Sequence, residues 1–181
     1  MNDNDSHLTL EICLKPIGYV KSELTELTFR MKQDIPPDIR KEQILSNHRR
    51  IKEVISELII HPDYEELLDG IEAFSHIVVV FWPHLLSSEN RQIKKVHPMG
   101  RKDLPIQGIF ATRSPARPNP VLISNVHLLE RQKNVLKVKG LEALNGSPLI
   151  DIKPVTRFND GVKNPTFPDW INQINKDFEL D

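Results

Sequence analysis

The segment from Val96 to Ser124 places the strongest constraint on the fold, because it holds five of the fourteen prolines in the chain. Three of them, Pro115, Pro118 and Pro120, lie in the run T-R-S-P-A-R-P-N-P. Each proline fixes its own φ and pushes the preceding residue toward extended geometry. Such a run fits neither a helix nor a central strand, so the sequence predicts a stiff, ordered loop.

Two arginines, Arg113 and Arg117, lie between these prolines. A planar guanidinium group on a stiff loop suits a carboxylate, a phosphate or a polar nucleotide. The alternative is a surface loop with ordinary solvated arginines. The preceding Gly108-Ile-Phe-Ala favours the binding hypothesis, because it has the pattern of a strand that delivers the loop from a core.

This loop also carries a resemblance. The stretch G-I-F-A-T-R-S-P-A-R-P-N-P is similar to the signature of the TsaA-like family. Three further blocks match in the same order: P-I-G-Y-V-K-S, L-D-G-I-E-A-F-S-H-I-V-V-V-F-W-P-H and L-N-G-S-P-L-I-D-I-K-P. The resemblance covers roughly residues 14 to 158. It implies a small β-barrel methyltransferase that uses S-adenosylmethionine.

Alternating apolar segments separated by turn residues independently favour an antiparallel sheet closed as a barrel. We predict a mainly β fold, a small antiparallel β-barrel with short helical connections. A Rossmann fold is disfavoured, because no G-x-G-x-x-G follows a strand. The predicted strands are Leu10–Ser22, Val54–His61, Phe74–Trp82, Ile106–Thr112, Val121–Glu130, Val135–Ala143 and Leu149–Pro154. The third strand lacks clean alternation, which predicts burial on both faces.

A helix is predicted to begin at Asp38, after a double proline, with Ile39 and Leu45 on one side. The resemblance implies a Pro-Arg-Gln segment in this region that contributes to the cofactor site. No such segment occurs between Glu23 and Arg50, and Asp38-Ile39-Arg40 is only a loose match.

The length of 181 residues suits one main domain. We expect a flexible N-terminus over residues 1–9, a barrel domain over 10–158 and a C-terminal tail over 159–181. No apolar run approaches the ~20 residues that span a bilayer. The start of the chain lacks the pattern of a signal peptide. The single cysteine, Cys13, suits a reducing cytoplasm and is expected to be buried.

His84 follows the third predicted strand and is our candidate catalytic base, since an imidazole with an ordinary pKa near ~6.5 accepts protons readily. A structural histidine is the alternative. The resemblance implies that cofactor-binding residues come from three places: after this strand, in the arginine loop with the strand that follows it, and in the Asn145-Gly146 turn. They are His84, Leu85, Arg113, Ile123, Asn145, Gly146, Ser147 and Pro148. Asn145 stands where the family usually has Asp, which keeps the turn geometry and removes a charge.

Three other sites receive simpler interpretations. His76 is predicted to be a buried packing residue, and Asp151 and Lys153 are predicted to form a structural salt bridge, with orientation of Arg113 as the alternative. None of the seven histidines forms a metal-binding pattern with another histidine or with Cys13. We therefore predict no metal.

The charge is unevenly distributed. The net charge of the chain is −1, yet the segment from Arg91 to Arg117 holds seven basic residues against the single acid Asp103, a local excess of +6. Such a segment is either an ordinary solvated surface or a surface that holds a phosphate backbone. The residues that we expect to bind substrate are Arg117, Arg101, Lys102 and His97, the last a second candidate for proton transfer.

The resemblance implies that the substrate is tRNA and that the methyl acceptor is N6 of threonylcarbamoyladenosine beside the anticodon. It also implies a homodimer. Two alternatives remain open: methylation of a small molecule, or a module that binds S-adenosylmethionine without turnover. The missing Pro-Arg-Gln segment favours the first of these, as does the early end of the chain, since larger bacterial relatives carry an additional C-terminal domain. Asn145 leaves room for the second.

Overall fold

The computed structural model describes residues 11–26 and 36–179. Within these ranges the chain forms eight strands and three α-helices. The strands are β1 Gly18–Lys21, β2 Ile55–Ile60, β3 His76–Phe81, β4 Lys95–Val96, β5 Gln107–Gly108, β6 Leu122–Gln132, β7 Val135–Lys139 and β8 Pro148–Pro154. The helices are α1 Pro37–Glu53, α2 Arg157–Asp160 and α3 Asp169–Asp177.

Six of these strands form a closed barrel in the order β1-β2-β7-β6-β3-β8, with β8 pairing back to β1. Every neighbouring pair is antiparallel. The predicted antiparallel barrel is therefore confirmed. Strands β4 and β5 form a separate two-stranded sheet.

The interior of the barrel is apolar because alternate residues of each strand face it. In β3, Ile77, Val79 and Phe81 are buried, whereas Val78 and Val80 are only partly covered. The prediction that this strand is buried on both faces is wrong, because its second face is the outer surface of a single-layered barrel. His76 was also misassigned. It is exposed on that outer surface, where its ring stacks on His127 with centroids 5.0 Å apart.

β1 begins at Gly18 and makes a very close contact with β2. A Cβ atom at this glycine would lie 2.1 Å from the carbonyl oxygen of Ile59, so no larger residue fits without moving the backbone. The strand predicted from Leu10 is shorter than expected, and Leu10 itself lies outside the described residues. The prediction that Cys13 is buried is wrong, because the residue precedes β1, outside the barrel, and is exposed.

α1 begins one residue before the predicted start, with Pro37 in its first turn, where the missing N–H of proline costs no hydrogen bond. Its buried apolar residues are Ile44 and Ile51. Ile39 is exposed, so the predicted apolar side of the helix was displaced by part of a turn.

The predicted strand Ile106–Thr112 is wrong. Only Gln107 and Gly108 form a strand, paired with Lys95 and Val96, and the chain then enters a 3-10 turn over Ile109–Ala111. The six barrel strands already satisfy one another, so no barrel edge remains for this segment to join. The three last predicted strands correspond to β6, β7 and β8, and the Asn145-Gly146 turn is confirmed.

An ion-pair cluster connects α3 to α1 and to the loop that follows β4. The Arg101 side chain is 4% exposed and binds both Asp103 and Asp177. Asp177 also accepts a hydrogen bond from Lys41 Nζ at 2.5 Å. His48 and Phe178 add an edge-to-face ring contact with centroids 4.7 Å apart. In the described ranges, no helix combines the length and apolar character that crossing a membrane requires.

Candidate functional site

One end of the barrel brings together the segments that the sequence singled out. β3 lies between β6 and β8, and Phe81 at the end of β3 pairs with Leu122 and Leu149, near the starts of those two strands. The segment after β3, the loop before β6 and the turn before β8 therefore emerge side by side. They carry His84, the arginine loop and the Asn145 turn.

His84 lies against the Asn145-Gly146 turn. Its Nδ1 is 3.4 Å from the hydroxyl of Ser147, a residue that is 1% exposed. Gly146 has a φ of 79°, and a Cβ atom there would lie 3.7 Å from His84 Nε2. Glycine therefore permits the left-handed turn and places no side chain against the Nε2 edge of the imidazole. The ring itself is exposed.

Asn145 anchors the turn to the segment that leaves β1. Its side-chain oxygen accepts a hydrogen bond from Ser22 N at 3.1 Å, and its backbone N–H donates to Leu24 O at 2.7 Å. The contact from Ser22 uses an oxygen that Asn and Asp share, so this anchoring does not need the acid of the family pattern. The amide group of Asn145 presents a donor where an Asp would present a second acceptor.

The arginine loop, residues 112–120, is braced by its own hydrogen bonds. Arg117 donates from Nε to Ser114 O at 2.9 Å and from Nη2 to Thr112 O at 2.5 Å. Thr112 Oγ1 in turn accepts from Ser114 N at 3.3 Å. Arg117 is thus mainly engaged in shaping the loop, which agrees with the stiffness predicted from its prolines.

Arg113 is the exposed guanidinium of this loop. Its Nη2 donates to the backbone oxygen of Ile123 at 2.8 Å, which holds the side chain beside the first residues of β6. The Ile123 side chain is 49% exposed, and Leu85, after β3, is 57% exposed. This end of the barrel therefore combines a cation with two uncovered apolar side chains.

The residues predicted to bind substrate are less accessible than expected. Arg101 is 3% exposed and paired with two aspartates, so its assignment to a solvent-facing basic surface is wrong. His97 is partly buried and donates from Nδ1 to Leu104 O at 2.8 Å. Lys102 is exposed, as are Lys94 and Lys95.

Sequence reasoning missed two features next to this site. The Phe110 side chain is 80% exposed, because the segment predicted to be a strand forms a turn instead. Arg91 lies over Trp82, with its guanidinium carbon 5.2 Å from the ring centroid. The only sequence signal for the second feature is a basic residue shortly after an aromatic strand end.

A charged contact at the barrel surface bears on one further prediction. Lys153 donates to Asp151, as expected for a structural salt bridge. In the described part of the chain, no group of three or more histidine, cysteine, aspartate or glutamate residues is arranged to hold a metal ion.

Residues 28–161 match the family model described as the tRNA-methyltransferase O N-terminal domain. A similar protein from Methanothermobacter thermautotrophicus is named a probable S-adenosyl-L-methionine-binding protein. It is 41% identical over 145 residues, which are 80% of this chain and 90% of that protein. A rat protein named tRNA (adenine(37)-N6)-methyltransferase is 29% identical over 156 residues, covering 86% of this chain and 33% of the rat protein.

The fold is also similar to that of solved structures. The crystal structure of TrmO from Pseudomonas aeruginosa superposes with a TM-score of 0.61 at 26% sequence identity. The match covers 87% of this chain and 62% of the TrmO chain. The chain thus spans most of the archaeal relative. It spans less than two thirds of this TrmO and about one third of the rat protein.

Proposed function

This chain belongs to the family of the tRNA-methyltransferase O N-terminal domain, and from that premise we propose that it is an S-adenosylmethionine-dependent methyltransferase of tRNA. The proposed methyl acceptor is N6 of threonylcarbamoyladenosine next to the anticodon. The name of the rat relative, a tRNA (adenine(37)-N6)-methyltransferase, supports this choice. The observation that carries the proposal is the convergence of Arg113, His84 and the Asn145-Gly146 turn at one barrel end.

The residues at this end fit the chemical parts of S-adenosylmethionine. The exposed guanidinium of Arg113 suits the carboxylate of the methionine part. The uncovered side chains of Leu85 and Ile123 suit the adenine ring. Gly146 leaves room beside His84 that a Cβ atom would fill. Asn145 and Pro148 complete the proposed contact surface.

Bound S-adenosylmethionine supplies a methyl group already activated on a sulfonium, so the protein needs mainly to orient the acceptor and to remove a proton. We assign the proton transfer to His84 Nε2, the ring nitrogen that is not engaged with Ser147. In the proposed tautomer, Nδ1–H donates to the Ser147 hydroxyl, which leaves Nε2 free to accept the N6 proton. Ser147 is too buried to contact a ligand through its side chain, so its proposed role is to orient His84.

The proposed RNA contacts are electrostatic. Lys94, Lys95 and Lys102 are exposed within the basic segment and are available to phosphate groups. Arg101 is left out of this surface because it is buried, and His97 and Arg117 act by supporting the loops that carry the exposed cations. We further propose a homodimer that works in the cytoplasm.

The first experiment measures binding of S-adenosylmethionine by calorimetry. We expect micromolar affinity, about −8 kcal/mol, and a loss of about 1.5–3 kcal/mol in Arg113→Ala, the range for a hydrogen bond to a charged group. Arg157→Ala is the matched control, because Arg157 is an exposed arginine beyond the opposite end of β8. Equal affinity in both variants would remove Arg113 from the cofactor site.

The second experiment identifies the methyl acceptor. Purified protein, S-adenosylmethionine and tRNA that carries threonylcarbamoyladenosine are incubated, and the digested nucleosides are analysed by mass spectrometry. We expect a mass increase of one methyl group on that nucleoside, and none with His84→Ala. Cofactor binding without any methylated nucleoside would favour the other candidates, a small-molecule methyltransferase or a module without turnover. The name of the archaeal relative states binding of S-adenosyl-L-methionine alone, which is compatible with a module without turnover.

A further inference from the structure

An open pocket lies beside the candidate site, between the segment after β3 and the arginine loop. Its volume is about 630 Å³, within the usual range for ligand pockets. Its lining is largely apolar and includes Ile109, Phe110 and Pro118, with Arg91 and Lys94 as the basic residues. None of these residues belongs to the cofactor site proposed above.

Phe110 is the most unusual part of this lining. A single exposed apolar side chain needs no explanation by itself, but this ring is 80% exposed on a short, ordered turn next to two cations. A hydrogen bond from Ile109 N to Lys94 O at 2.9 Å holds the turn to the residue just before β4. The ring is therefore presented to solvent by a fixed backbone.

Arg91 supplies the second observation. Its guanidinium lies over Trp82, and among the described residues its Nε is a buried side-chain nitrogen without a hydrogen-bond partner. A buried donor without a partner costs free energy. An anionic group in the pocket would offer this side chain a hydrogen-bond acceptor and an opposite charge. Lys94, exposed on the same pocket, adds a second positive charge.

We propose that this pocket binds an unpaired nucleotide of RNA, with its base stacked on Phe110 and its phosphate near Arg91 and Lys94. An aromatic platform combined with cations is the arrangement by which proteins bind single-stranded nucleic acid. Unpaired loop nucleotides expose the ring faces that stacking needs, whereas paired bases do not. The proposal rests on the proposed function in that the methyl acceptor is in RNA.

The position of the pocket suits this role. Trp82, which Arg91 covers, is two residues from His84, and Pro118 belongs to the arginine loop. A nucleotide held on Phe110 would therefore be a neighbour of the acceptor nucleotide at His84. The pocket positions the RNA strand and takes no part in the proton transfer.

The test uses fluorescence anisotropy with two labelled RNA probes, a hairpin with an unpaired loop and a fully paired duplex of the same length. Phe110→Ala should weaken binding of the hairpin about 5- to 150-fold, the range for loss of one stacked base, and should change binding of the duplex little. Phe110→Trp should retain the hairpin affinity. Phe158→Ala is the matched control, because Phe158 is 86% exposed beyond the opposite end of β8.

Charge is tested in the same assay. Lys94→Ala should reduce the slope of log affinity against log salt by about 0.7 to 0.9, the value of one phosphate contact. Lys137→Ala, which removes an exposed lysine from β7, should leave the slope unchanged.

Three results would overturn the proposal. The first is equal hairpin affinity in Phe110→Ala and Phe158→Ala. The second is an equal loss for hairpin and duplex, which would make the effect non-specific. The third is dissociation of a dimer in Phe110→Ala without loss of hairpin affinity, which would mean that a second copy covers the ring. Binding of S-adenosylmethionine to the wild-type protein is measured separately. Its absence would refute the proposed methyltransferase and would leave the RNA pocket to be judged on the Phe110 results alone.

Discussion

Replacing Asp177 by Asn tests whether the buried ion-pair cluster holds α3 in place. The substitution keeps the shape of the side chain and removes its charge. Asp177 is 11% exposed in its side chain and accepts hydrogen bonds from both Arg101 and Lys41. The variant therefore weakens two charge-assisted contacts at once, at a position with little access to water.

The magnitude follows from what each partner retains. Breaking a buried ion pair by removing one partner costs about 3–5 kcal/mol. Arg101 keeps a second partner, since Asp103 receives its Nε at 3.2 Å and its Nη2 at 2.5 Å. The Lys41 side chain is 42% exposed, so water can replace its partner. We therefore expect a smaller loss in the free energy of unfolding, about 2–3 kcal/mol.

Urea unfolding followed by circular dichroism measures this loss, and thermal unfolding gives a second value. For a chain of this size, 1 kcal/mol corresponds to about 2–4 °C, so the midpoint should fall by about 4–12 °C. Asp169→Asn is the control, because Asp169 is an exposed aspartate in the first turn of the same helix. Its loss should stay below about 1 kcal/mol, the value of a charge near a helix end.

The effect of Asp177→Asn should also depend on pH. Burial alone would raise the pKa of the Asp177 carboxyl, but hydrogen bonds from Lys41 and Arg101 more than reverse this, so the pKa lies below its ordinary value. A hydrogen bond from Arg101 likewise lowers the pKa of Asp103. A lowered pKa contributes stability above the ordinary value of about 3.9, and this stability is lost as the pH falls through the folded-state value. The difference in the free energy of unfolding between wild type and Asp177→Asn should therefore be largest at neutral pH and decrease in acid. Equal stability of the two Asn variants at neutral pH, or a difference that is constant down to acid pH, would refute this account of the cluster.

Three further predictions follow from close contacts and exposed charges. Gly18→Ala should destabilise the barrel by at least about 1–3 kcal/mol, because the new Cβ would meet the Ile59 oxygen. Gly108→Ala is the control and should change the urea midpoint little, since no atom lies within 4 Å of its new Cβ. Equal urea midpoints for the two variants would contradict this reasoning. Ser147→Ala should lower the rate of methyl transfer and shift its pH profile, because the hydroxyl orients His84. Ser147→Thr keeps a hydroxyl and should retain the wild-type rate and pH profile. An unchanged pH profile in the Ala variant would exclude this role of Ser147. The exposed lysines between Arg91 and Arg117 are Lys94, Lys95 and Lys102. Replacing all three by Ala should reduce the slope of log affinity for tRNA against log salt by up to about three phosphate contacts. An unchanged slope in filter binding would exclude this surface from RNA binding.

The sequence predicted those parts of the fold that depend on local patterns. β2, β6, β7 and β8 follow from apolar alternation with turn residues between them, and the Asn145-Gly146 turn follows from its residue types. Alternation would also have placed His76 correctly, because the residue before a buried Ile77 must face the opposite side. The error there came from treating the whole strand as buried.

Other features depend on partners that lie far along the chain. Arg101 was counted as a surface charge because its pairing with Asp177, 76 residues later, leaves no trace in the local sequence. The segment Ile106–Thr112 has the composition of a strand, but whether it joins the barrel depends on whether an unpaired edge is available. The same limit applies to Phe110, whose exposure follows from that turn.

The seam between β1 and β8 has a consequence for the order in which the chain is made. β8 lies between β1 and β3, and Gly18 pairs with Leu149 across most of the sequence. A ribosome that has not yet released residue 154 therefore holds a sheet with two unpaired edges, one on β1 and one on β3. Such edges can pair with other chains, and contacts of large sequence separation form slowly. During synthesis the protein is thus most prone to aggregation just before its last barrel strand emerges, and a ribosome stalled at that point would present both edges to neighbouring nascent chains.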